Sequence, residues 1–83
     1  MSTYEGWANY HTWNVALWIN NEQPLYRAAV EYANTATTPT YREYVGLWMG
    51  GEWGDITPDG VSWTDPTLDM DELDAFIREM VEA

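Results

Sequence analysis

The sequence predicts a mainly α fold: a compact four-helix single domain, with a Trp-flanked turn or short hairpin before the last helix. Three observations carry that expectation. Apolar residues recur at helical spacing in four segments. Pro, Gly and Asn punctuate the chain between those segments. Thirteen aromatic residues among 83 supply a core that so short a chain needs, because each aromatic buries roughly 150–250 Å².

The first segment is "NYHTWNVALWINNEQPLYRAA". Thr12 reads as an N-cap, followed by Trp13, Ala16 and Leu17 at helical spacing. Val15, Trp18 and Ile19 widen the stripe until only Asn14, Asn20 and Asn21 remain polar, the pattern of a buried helix. Trp13, Val15, Leu17 and Ile19 also alternate, so a strand is the rival reading. The helix is preferred because Asn20-Asn21 ends one helix and opens the next. In that second helix Asn21 or Glu22 caps, and Pro24 fits only the first turn. Leu25, Ala28, Ala29 and Tyr32 make its inner face, with Arg27 and Glu31 four apart outside. Thr38-Pro39 then starts a third helix, with Tyr41, Tyr44, Val45 and Trp48 on one side and Gly50-Gly51 as its end.

Residues 52–68, "EWGDITPDGVSWTDPTL", carry turn chemistry. In "TPDG", Pro58 fixes φ and Gly60 accepts a left-handed conformation, while Trp53 and Trp63 flank the turn as two indole clasps. Asp69 and Glu72 form a capping box for the last helix, whose Leu73, Phe76, Ile77, Met80 and Val81 recur on one face.

Charge narrows the function. Fourteen acids face three arginines and no lysine, for a net charge of −11. Residues 52–83 hold ten of those acids and only Arg78. Such a chain is repelled by nucleic acid and anionic lipid and attracted to basic surfaces. Direct nucleic-acid binding and membrane binding are therefore not expected. With no cysteine there is neither a disulfide nor a thiolate, which suits a reducing cytoplasm. "MSTYEGW" lacks the basic and apolar regions of a signal peptide, and "VALWI" is far too short to span a bilayer.

The blocks Gly6-Trp7, Asn9-Tyr10 and Thr12-Trp13-Asn14-Val15-Ala16-Leu17-Trp18, with Asp59-Gly60-Val61 and Trp63 downstream, form a signature. It resembles that of a group of small acidic domains of unknown function from phages, other mobile elements and haloarchaea. The resemblance implies a shared fold and brings no active site with it.

No enzyme chemistry is expected. His11 is the only imidazole, and neither Ser2 nor Ser62 lies in a G-x-S-x-G elbow. "DPTLDMDE" lacks the glycine and distal glutamate of a calcium loop, so no metal and no cofactor is expected. Asn14, Asn20 and Asn21 beside Trp13 and Trp18 suggest a sugar or base pocket, or more simply a satisfied core. Helix dipoles account for acids in the last helix's first turns. The rest point to a negative surface that imitates phosphates and docks on a basic, nucleic-acid-binding host protein. Asp55, Asp59, Asp65, Asp69, Asp71, Glu72, Asp74 and Glu79 are the candidate contacts. The competing expectation is a small interaction or ligand module using the Trp/Asn block, its acidity serving solubility or adaptation to salt. Oligomeric state is not legible.

Overall fold

A computed structural model describes residues 4–48 and 54–81. Four helices follow in order: α1 Tyr10–Asn21, α2 Gln23–Thr35, α3 Tyr41–Trp48 and α4 Met70–Arg78. The first segment is a helix and not a strand, and it ends at Asn21, as the Asn20-Asn21 pair indicated. The described residues contain no strand, only two isolated bridges, Tyr4 with Trp7 and Ile56 with Ser62.

Each boundary has a local cause. Asn9, not Thr12, caps α1: its side chain accepts the Thr12 N–H at 2.8 Å, three residues on, as an N-cap must. Glu22 alone separates α1 from α2, its extended backbone donating to Trp18 O and accepting from Tyr26 N. Pro24 sits in the first turn of α2, where its missing N–H costs no helical bond. Thr40 starts α3 two residues later than Thr38-Pro39 suggested, its hydroxyl accepting from Glu43 N. Asp69 caps α4 as expected, accepting Glu72 N–H at 3.0 Å. The Gly50-Gly51 end of α3, Trp53 and the side chain of Trp48 lie outside the described residues.

One buried cluster joins all four helices. It contains Val15, Ala16 and Ile19 from α1, Leu25, Ala29, Tyr32 and Ala33 from α2, Tyr41, Tyr44 and Val45 from α3, and Leu73 and Ile77 from α4. Val61, Trp63 and Leu68 enter it from the connecting segment. Two tyrosines act as pins. The Tyr41 hydroxyl donates to Trp63 O at 2.6 Å, and the Tyr44 hydroxyl donates to Leu25 O at 2.9 Å. Burial pushes both phenols well above their usual range. Trp63 is buried with its indole N–H unpartnered, so packing alone holds the ring.

The tryptophans divide. Trp63 is core, but Trp7, Trp13 and Trp18 are half-buried, and α1 is not enclosed on all sides. Its inner face is Thr12, Val15, Ala16, Ile19 and, against the polarity pattern, the wholly buried Asn14. Trp13 instead stacks in a surface group with Tyr4 at 4.8 Å and Tyr10 at 5.7 Å.

Two tight turns set the peripheral geometry. Tyr4 and Trp7 exchange both backbone bonds across Glu5 and Gly6, which have φ of 50° and 87°. Two central residues at positive φ define a type I′ turn, which favours Asn-Gly, so Glu5 is a strained occupant. In the other turn Gly60 N donates to Thr57 O and Gly60 has φ 89°, while Thr57 N donates to Val61 O. Pro58 pre-sets the bend and Gly60 takes the left-handed position, as the "TPDG" chemistry anticipated.

Candidate functional site

The acidic C-terminal third folds back along α1, and hydrogen bonds from α1 fix much of it. Thr12 Oγ1 donates to Asn9 Oδ1 at 2.8 Å and accepts the Asp69 N–H at 2.9 Å. Asn9 Nδ2 donates to Thr67 O at 2.7 Å. Glu72 does not return to its own cap as a capping box would. Its Oε1 accepts the Ala8 N–H at 2.7 Å instead. The N-termini of α1 and α4 are thereby locked together by complementary donors and acceptors.

Farther along α1, Asn14 Oδ1 accepts from the Thr57 hydroxyl at 2.7 Å. Its Nδ2 donates to Asp59 Oδ2 at 2.8 Å. The same Asp59 oxygen accepts from Trp18 Nε1 at 2.9 Å. Asn14 therefore satisfies side chains of the connecting turn, not helix backbone, and its amide is taken up by the fold. The Asn14 amide, then the Trp18 indole, hold the Asp59 carboxyl below its usual range. Asp65 is likewise lowered, by the Thr67 hydroxyl and N–H first and the charge of His11 last. Asp74 Oδ1 accepts the Tyr41 N–H at 2.9 Å, which ties the start of α3 to α4.

The eight candidate acids thus fall into two sets. Asp59, Asp65, Asp69, Glu72 and Asp74 each accept hydrogen bonds that hold the fold. Asp55, Asp71 and Glu79 are exposed. Every carboxylate bond in the first set comes from a neutral donor: an amide, an indole, a hydroxyl or a backbone N–H. Neutral donors orient a carboxylate without cancelling its charge. Arg78, the one arginine of residues 52–83, donates through Nε to Pro39 O at 2.9 Å. The result is an array of negative charge in which five carboxylates are held in place and, among the described residues, none is paired with an arginine.

His11 lies beside this array. Thr67 Oγ1 donates to Asp65 Oδ1 at 2.5 Å, so its lone pair faces His11 Nδ1 at 3.1 Å. With the Thr67 proton directed to Asp65, His11 Nδ1 is placed to donate to Thr67 Oγ1 in the tautomer that carries its proton there. The row of residues orders a loop.

Sequence reasoning missed the surface between the Glu5-Gly6 turn and α4. A groove of about 290 Å³ runs there, lined by Gly6, Trp7, Glu72, Ala75, Phe76 and Glu79. Trp7 and Phe76 meet edge to face at 5.6 Å and 77°. Both rings also wall a second hollow of about 140 Å³, shared with Trp13, Ala16, Leu17 and Asn20. The available signal was Gly6, whose positive φ closes the turn that brings Trp7 to α4, while Glu5 gave none.

Among the described residues no group of three or more His, Asp or Glu side chains is arranged to hold a metal ion. None of the described helices is long and apolar enough to cross a membrane.

A four-helix domain with an acidic flank packed on an Asn/Trp helix is the class that fold and surface define. The chain belongs to DUF7249, a family of unknown function, whose model matches residues 1–83. No curated protein and no solved structure matches it.

Proposed function

We propose that this protein is an acidic protein-binding inhibitor, active in the cytoplasm of a host cell. It acts as a nucleic-acid mimic that occludes a basic groove on a nucleic-acid-binding host protein. The resemblance to domains of phages and mobile elements makes a defence nuclease or a CRISPR surveillance complex the fitting target, inhibited by occlusion and without chemistry.

The carrying observation is the acid array, five of whose carboxylates are held in place. Carboxylates held by neutral donors stay charged and fixed in position, as phosphates on a duplex are. Rigid charges lose less entropy on docking than mobile ones. Coulomb attraction speeds encounter, and ions released from both surfaces add a steep salt dependence. Asp55, Asp71 and Glu79 are exposed for contact together with the held Asp59 carboxylate, and the half-buried acids Asp65, Asp69, Glu72 and Asp74 add to the field.

The test is capture from a host lysate at low salt, followed by competition. A nucleic-acid-binding protein is expected on the resin and is released as salt rises. Its DNA or RNA is then displaced by the wild-type chain and not by the Asp55→Lys/Asp71→Lys/Glu79→Lys variant. Recovery of no such protein, alongside folding that requires molar salt, would instead favour acidity as an adaptation to salt.

A further inference from the structure

We infer that the groove between the Glu5-Gly6 turn and α4 seats an arginine side chain of the partner. The inference rests on the reading above for a basic partner and adds the chemistry by which one residue of it is recognised. An aromatic wall and two carboxylates meet in one groove. Trp7 and Phe76 offer ring surface, and Glu72 and Glu79 stand on the lining. The Ala8 N–H pins Glu72 through Oε1, which fixes that carboxylate beside the rings.

Glu79 is placed against local advantage. It is the C-cap of α4, where the helix dipole is negative and a carboxylate is disfavoured. Asp69, Asp71 and Glu72 sit at the opposite end, where the dipole favours them. Helix stability therefore explains those three acids and does not explain Glu79. A cation entering the groove would meet the Glu72 and Glu79 side chains and the Trp7 and Phe76 rings together.

Guanidinium fits these features better than ammonium does. It is planar, stacks on an indole, and can donate to a carboxylate through two parallel N–H groups. Its apolar stem covers ring surface while the charge stays at the rim. A second copy of this chain is a poor occupant, since each carries −11 and only three arginines. The chain's own Arg78 is committed to Pro39 O.

The probe is an acetylated, amidated tetra-arginine peptide, with the tetra-lysine peptide as comparison, titrated at low salt into uniformly ¹⁵N-labelled protein. The Trp7 indole N–H resonance is expected to move, that of buried Trp63 to stay, and arginine to bind more tightly than lysine. Glu79→Gln should weaken tetra-arginine by about threefold or more, as loss of a carboxylate beside a stacked cation implies. Glu31→Gln, an exposed acid on α2, should have a smaller effect. Trp7→Leu should abolish the preference for arginine, with circular dichroism reporting whether it folds. If it does not fold, the Glu79→Gln and resonance data decide alone.

Equal binding of the two peptides, with Glu79→Gln no different from Glu31→Gln, overturns the groove and leaves a diffuse acidic surface standing. Failure of both peptides to shift any resonance also overturns it. The capture experiment can fail while this titration succeeds, so the two readings are separable.

Discussion

Two regions of the acidic third use the same residue types for opposite ends. Along the seam with α1, Asp59 accepts from Asn14 and Glu72 from Ala8 N, while Asp69 caps α4 by accepting from Glu72 N, and the fold depends on all three. On the outer flank, Asp55, Asp71 and Glu79 face solvent. Charge counted along the chain cannot separate the two. The difference teaches that an acid's role here follows from its donors. Acids on the seam serve the architecture as well as the surface, and acids on the flank serve the surface alone.

Breaking the seam should give the largest effects. Asn14→Ala leaves the buried Thr57 hydroxyl without its acceptor and is expected to cost about 1–3 kcal/mol. Thr12→Val keeps the shape but strips a buried hydroxyl that links Asn9 to Asp69, so a loss in the same range of about 1–3 kcal/mol is expected. Urea denaturation of each variant measures both. Asp69→Ala, a cap loss, should cost about 1 kcal/mol by the same measurement.

Alkali probes the core behind the seam. Tyr41 and Tyr44 ionise far less readily folded than unfolded, so the folded state holds the more protons above pH 10.0. Their contribution is complete below that value and falls as pH rises through it. Thermal midpoints should therefore drop above about pH 10, and Tyr44→Phe should flatten the drop.

Relieving strain sharpens the contrast from the other side. Glu5 has a positive φ that Asn tolerates better, so Glu5→Asn is expected to stabilise by about 0.5–1 kcal/mol. The smallest effect on stability belongs to the flank. Asp71→Lys/Glu79→Lys places one lysine at each end of α4, and the two dipole effects oppose each other. A change within about 0.5 kcal/mol is expected, while partner binding is lost.

The helices were largely legible because periodicity and caps are local. Leu73 and Ile77, Pro24, and the Asp69 cap fell where pattern placed them. What escaped were polar contacts across long stretches of chain. A satisfied core position was expected for Asn14, but nothing near it indicates that its partners are Thr57 and Asp59. Thr12 looked like a cap because its hydroxyl suits one. Its actual partner, the Asp69 N–H, lies 57 residues away. Tryptophan content suggested that most of the indoles build the core, yet Trp7 and Trp13 share a surface hollow, because the Glu5-Gly6 turn and α1's rotation decide their exposure.

Salt offers a further contrast, since screening relieves self-repulsion within the chain but weakens attraction to a cationic partner. The fold should become more stable as salt rises while complexes dissociate. The most direct measurement is competition for the captured host protein loaded with its nucleic acid, across a salt series. The wild-type chain is expected to displace the nucleic acid at low salt and progressively fail as salt rises, with Asp55→Lys/Asp71→Lys/Glu79→Lys folded but inert. Displacement that persists at high salt, or that the triple variant achieves equally well, would contradict it.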